Sequence, residues 1–139
     1  MKNKIQKAIM KLDHIGIAVK CIIEKLNIWQ NLLGLQLETI EEIPEQKVKV
    51  AILKLGDTHI ELIEPMDNES TVYKFLEKKG EGLHHLSFEV EDIERMLAVM
   101  KQRGVKLIDE APRLGVAGKK IAFVHPKDTG GVLIELCEK

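Results

Sequence analysis

The chain reads twice. His14 and His85 lie 71 residues apart, and Gly34 and Gly104 lie 70 apart, each in a matching local context. A unit of about seventy residues that occurs twice restricts the architecture to two copies of one supersecondary motif. Before Gly34, Ile22, Leu26, Trp29 and Leu33 recur at helical spacing, and before Gly104, Ile93, Met96, Leu97 and Met100 do the same. Each glycine suits a C-terminal cap, and Asp92 suits the N-cap of the second helix. A strand-like run precedes each helix, over residues 12–19 and 83–90, and short strand signals follow at 35–37 and 105–107. The stretches 48–55 and 58–63 flank Gly56-Asp57, a short hairpin signal. Their counterparts are 120–124 and 132–137, separated by a loop with Pro126 and Gly130-Gly131. Each unit therefore reads β-α-β-β-β. Residues 69–79 predict a connecting helix with Tyr73, Phe75 and Leu76 on its apolar side. The expected organisation is a single domain over residues 1–139, with module 11–66 and module 82–139 joined by a helical connector, 67–81.

Composition narrows the function. With 139 residues, 45% apolar and 31% charged, the chain buries enough surface to fold without staples. Its two cysteines, Cys21 and Cys137, make no disulfide framework, which points to a reducing, cytoplasmic setting. A net charge of −1 argues against a nucleic-acid partner, and 4% aromatic residues leave little for base stacking. The N-terminus carries Lys2, Lys4, Lys7 and Lys11, but no long apolar stretch follows. It does not read as a secretory signal, and nothing approaches a membrane span.

Alternation along the strands places chemistry on one face. On the first strand Asp13, Ile15, Ile17 and Val19 share one side, and His14, Gly16 and Ala18 the other. On its counterpart His84, Leu86, Phe88 and Val90 share one side, and His85, Ser87 and Glu89 the other. The bulky apolar side is the seat for a helix. The histidine side is lined by small and polar residues, as a ligand cavity is. The last strand of each module carries a glutamate between apolar neighbours, Glu61 and Glu135, and such a carboxylate is costly unless paired or bound to metal. One histidine or one glutamate in a strand is ordinarily structural. Two of each at repeat-equivalent places form a candidate metal site of His14, Glu61, His85 and Glu135. Imidazole and carboxylate suit Zn, Co, Mn, Ni or Fe and do not choose among them. Cys137 and His59 lie a pleat step from the glutamates and read as structural, and His84 reads as a packing residue on the apolar side. Lys119, Lys120 and Lys127 read first as solvated cations.

The run Leu12-Asp13-His14-Ile15-Gly16-Ile17-Ala18-Val19 resembles the opening strand of the vicinal oxygen chelate superfamily. Pro44-Glu45-Gln46, Asp67-Asn68-Glu69-Ser70, Gly82-Leu83-His84-His85, and His125-Pro126-Lys127 followed by Gly130 to Leu136 resemble the methylmalonyl-CoA epimerases within it. The resemblance covers nearly the whole chain from about Lys11. It implies an α+β fold of two βαβββ modules whose mixed sheets curl around a metal site. It implies one divalent metal per chain on His14, His85 and Glu135, with a fourth ligand from Glu61, where some relatives have glutamine. Co2+ is the metal it favours, while Zn2+, Mn2+ and Ni2+ suit the same donors. The implied partner is an acyl-CoA, methylmalonyl-CoA, whose (R) and (S) forms interconvert by proton transfer at the α-carbon through an enolate. A homodimer is the family expectation. Some bacterial relatives carry a catalytic glutamate at the position of Val50, and valine moves no proton. Glu135 is then the first choice as acid–base group on one face of the substrate, and Glu61 on the other. A metal-dependent glyoxalase I would use the same ligands, and a bleomycin-resistance type binding protein would need none of them.

Overall fold

The computed structural model describes residues 8–139. The stretch Met1–Lys7, on which the reading of the N-terminus as no secretory signal mostly rests, lies outside the described residues. The chain divides into two compact units, one of His14–His84, the other of the residues up to Asp13 together with His85–Lys139. No described helix is long and apolar enough to cross a membrane.

In the first unit the chain runs through β1 (Ile9–Ala18, from His14 onward), α1 (Ile22–Leu26), β2 (Gln36–Ile43), β3 (Val48–Leu55), β4 (Thr58–Pro65) and α2 (Thr71–Lys79). The strand order is β2-β3-β4-β1, with β1 parallel to β4 and the other neighbours antiparallel. The β3–β4 hairpin turns at Gly56-Asp57 as expected. Gly56 takes φ +60°, which a II′ turn demands at its first central position and which glycine alone adopts without strain. One face of the sheet packs Ala51, Leu53, Ile60 and Leu62 against Val19, Ile22 and Leu26, with Ile15, Ile17 and Trp29 around them. Leu53 and Leu62 are fully enclosed, and each contributes about 2 kcal/mol of burial.

Two expectations for this unit change. The helix before Gly34 is regular only over Ile22–Leu26, then widens into a π turn over Asn27–Leu32. Leu33 is thereby turned outward and is 59% exposed, although its spacing predicted a core position. The connecting helix starts at Thr71, because the Ser70 hydroxyl accepts the Val72 N–H at 3.1 Å and so fixes the N-cap. Its buried residues are Val72 and Leu76, at i and i+4, while Tyr73 faces solvent.

The second unit contains β5 (Gly82–Val90, from His85 onward), α3 (Ile93–Gln102), β6 (Arg113–Leu114), β7 (Lys120–Val124) and β8 (Ile134–Glu138). Its strands run β5-β8-β7-β6, with β5 parallel to β8. Asp92 caps α3 by accepting the Arg95 N–H at 3.1 Å, as its position predicts. Met96, Leu97 and Ile93 bury against Ala122, Val124 and Leu136. The strand expected at 105–107 is reduced to one bridge, Leu107 to Val124. Side-chain carboxylates replace its ladder: Asp128 accepts the Lys106 N–H and Asp109 the Phe123 N–H, at 2.9 and 2.8 Å.

Candidate metal centre and acid–base site

Among the described residues the buried polar and charged side chains are His14, Glu61, Ser70, His85, Ser87 and Glu135. The four residues expected at the metal are all in this set, each 5–6% exposed. Ser70 is accounted for as a helix cap.

In the first unit His14 stands on β1 and Glu61 on β4. The parallel register pairs Gly16 with Glu61 and His14 with His59, so His14 and Glu61 rise from the same face of neighbouring strands. His14 Nδ1 lies 3.3 Å from Glu61 Oε2. Ile52 is opposite Glu61 on β3, and Val50 is opposite Ile63. Val50 is 3% exposed, so the position that holds a carboxylate in some relatives is here an apolar wall. His59 is drawn to Glu38, with Nε2 3.1 Å from Oε1. Glu38 sits where the β2–β3 register shifts, an irregularity that frees its side chain for this pairing.

The second unit repeats the device. His85 stands on β5 and Glu135 on β8, in a register that pairs Ser87 with Glu135. His85 Nε2 lies 3.2 Å from Glu135 Oε1. The Phe123 ring packs edge-on against the His85 imidazole at 5.6 Å between centroids, and Phe123 is opposite Glu135 on β7. Cys137 follows on the same face, 2% exposed beside Ile121 and Phe123. Burial pushes its thiol up to about 12, with the nearby Ser87 hydroxyl opposing the rise and Asp13 and Glu135 adding to it. A thiol that stays protonated is a poor metal ligand. His84 packs on the other side, its ring 4.8 Å from that of Phe75, as a packing residue does.

Each unit thus buries one carboxylate against one imidazole inside apolar walls. A buried carboxylate without compensation would be protonated or would destabilise the fold. Nitrogen and oxygen donors of this kind compensate one another through a divalent cation, so the residues present suit the metal that the fold implies.

The comparisons with known proteins follow the same line. Residues 13–123 match the Glyoxalase/Bleomycin resistance protein/Dioxygenase superfamily. The mitochondrial methylmalonyl-CoA epimerase of Homo sapiens is 36% identical over 127 residues, covering 91% of this chain and 72% of that protein. The chain belongs to the methylmalonyl-CoA epimerase family. An ethylmalonyl-CoA/methylmalonyl-CoA epimerase of Cereibacter sphaeroides is 35% identical over 128 residues, 91% of this chain and 96% of that one. A solved methylmalonyl-CoA epimerase in complex with methylmalonyl-CoA and NH4+ superposes with a TM-score of 0.91 at 35% identity, covering 94% and 95% of the two chains. The fold is therefore the vicinal oxygen chelate fold. Lactoylglutathione lyase of Neisseria meningitidis also matches, at 29% identity over 134 residues, so the epimerase family has the stronger claim over glyoxalase I.

Two features of the epimerase-family strands escape the first reading of the sequence. Glu64 and Glu138 each lie three residues beyond a site glutamate, in Glu61-Leu62-Ile63-Glu64 and Glu135-Leu136-Cys137-Glu138. Glu64 accepts the N–H of Ile22, the first residue of α1, at 2.8 Å, and Glu138 accepts that of Ile93, the first of α3, at 3.2 Å. The repeated Glu-Leu-x-Glu was the available signal. Ser87 is the second such feature.

Proposed function

We propose that the protein is a metal-dependent isomerase that interconverts (R)- and (S)-methylmalonyl-CoA, with His14, Glu61, His85 and Glu135 as the ligands of one divalent ion. The observation that carries this reading is the occurrence, in a chain of the epimerase family, of one buried His–Glu pair at the same place in each module. The α-proton of the substrate lies between a thioester carbonyl and a carboxylate, so its removal leaves an enolate. A divalent ion at these four residues supplies the Lewis acidity that offsets the developing charge. Epimerisation then requires a base on one face of the α-carbon and an acid on the other. Glu135 serves one face and Glu61 the other: one carboxylate takes the α-proton while the other, in its acid form, delivers a proton to the opposite face. Val50 contributes no proton. Ile52 and Ile63 beside Glu61, and Phe123 beside Glu135, keep water from competing for the carbanion. Co2+ is the favoured ion and a homodimer the assembly on the strength of the family, and the cytoplasm is the setting that two cysteines without a disulfide framework suggest.

The deciding experiment incubates the protein and Co2+ with either epimer in deuterated water and follows the α-proton. Solvent deuterium enters both epimers, chelator abolishes entry, and added Co2+ restores it. Turnover of a glutathione hemithioacetal with none of the acyl-CoA would move the protein to the glyoxalase I class.

A further inference from the structure

We propose that Ser87 is a positioning residue for Glu135, its hydroxyl holding the carboxylate oxygen that the metal does not use. Ser87 is wholly buried, and its Oγ has no hydrogen-bond partner among the described residues. The neighbouring Cys137 thiol is at most a weak one. A buried hydroxyl without a partner costs free energy, and folded proteins rarely keep one. The register says where its partner is. Ser87 and Glu135 are opposite one another on the parallel strands β5 and β8, and both rise from the face that carries His85.

The first module supplies the control. The position equivalent to Ser87, 71 residues earlier, is Gly16, and Gly16 is the residue opposite Glu61. The fold therefore does not require a hydroxyl at this strand position, because its other copy does without any side chain. What differs is the residue opposite the carboxylate: Glu135 faces Ser87, and Glu61 faces Gly16. Carboxylates that bind a metal through one oxygen are ordinarily oriented by a hydrogen bond to the other. Ser87 gives Glu135 one rotamer to which it returns between proton transfers. This assignment rests on the metal reading above.

The test compares Ser87→Ala with the wild type in metal-free and Co2+-loaded forms. In the metal-free protein, where no ion holds Glu135 in place for the hydroxyl, the variant melts close to the wild-type temperature. Co2+ affinity, measured in competition with a chromophoric chelator, falls about tenfold, and the visible absorption of bound Co2+ shifts. The turnover number drops while KM for methylmalonyl-CoA holds. Ser87→Thr restores affinity and spectrum, and Ser87→Cys, close in volume with a weaker donor, falls between. A Ser87→Ala protein with wild-type Co2+ affinity and spectrum overturns the assignment alone. So does one that is equally destabilised with and without metal, which marks a structural role. A wild type that binds no Co2+ overturns the metal reading and this assignment with it.

Discussion

Glu61 and Glu135 are matched in sequence and in burial, yet their ring partners meet them differently. His14 turns Nδ1 towards Glu61, while His85 turns Nε2 towards Glu135. If each carboxylate serves one face of the α-carbon, loss of either stops epimerisation without stopping every proton transfer. Glu61→Gln keeps an oxygen for the metal and should exchange solvent deuterium into one epimer only. Glu135→Gln should show the opposite preference, and both are read by NMR of the α-proton. A Glu61→Gln enzyme that epimerises at the wild-type rate would make Glu61 a ligand and nothing more. A second single-residue effect concerns Glu81, which accepts the Lys20 N–H at 2.8 Å and lies 3.1 Å from Lys25 Nζ. The Lys20 amide, with help from the Lys25 ammonium, holds this carboxyl below its usual range. A group whose folded pKa is depressed adds stability above its unfolded pKa, and that stability is lost as pH falls through the folded value. The melting-temperature gap between wild type and Glu81→Gln should be full above about pH 5 and should close as the solution is acidified further. The histidines and glutamates of the candidate site are legible because the repeat places each twice. Glu81 and Ser87 are not, since their roles depend on what stands opposite them.

At the scale of elements, the strands that carry the site glutamates also start the helices. Cys21 occupies the N-cap of α1 without a side-chain bond, and Glu64 takes over that task from a strand some forty residues later. Rules for helix starts look immediately upstream and so miss it, although the doubled Glu-Leu-x-Glu marks both places. Glu64→Ala and Glu138→Ala should each cost about 1 kcal/mol in urea denaturation. Glu64→Gln, which keeps an acceptor oxygen, should cost less. Because each cap lies three residues beyond a site carboxylate, these losses should also loosen metal binding, which a structural cap elsewhere, such as Ser70→Ala, should not. The strand signal at 105–107 falls short for a related reason: its alternation holds, but Asp128 satisfies the Lys106 amide that a partner strand would otherwise bond.

Across the whole molecule, the repeat accounts for the order of elements and, among the described residues, for the four buried histidines and glutamates. Metal should act on stability as any ligand of the folded state does. Co2+ at about one hundred times its dissociation constant adds about 2.7 kcal/mol, seen as a rise in melting temperature. His14→Ala and His85→Ala should keep the metal-free fold and abolish that rise. The two copies are not the same length, however. From His14 to Gly34 is one residue more than from His85 to Gly104. The helix ends show where it went. The Val105 N–H reaches back five residues to the Met100 carbonyl, whereas the Leu35 N–H reaches back six, to Trp29. Between them the Leu33 N–H bonds the Ile28 carbonyl, the i→i+5 step of a π turn. An inserted residue has been absorbed as a bulge in one helix, with the strands before and after it left in register. It follows that the fold tolerates an indel here and not in the matching helix. Deleting Asn31, an exposed residue of the π turn, should restore plain α-helical winding and leave Gly34 at its cap. Deleting a residue from α3, where there is no slack to take up, should pull Gly104 out of its turn and unfold the second unit.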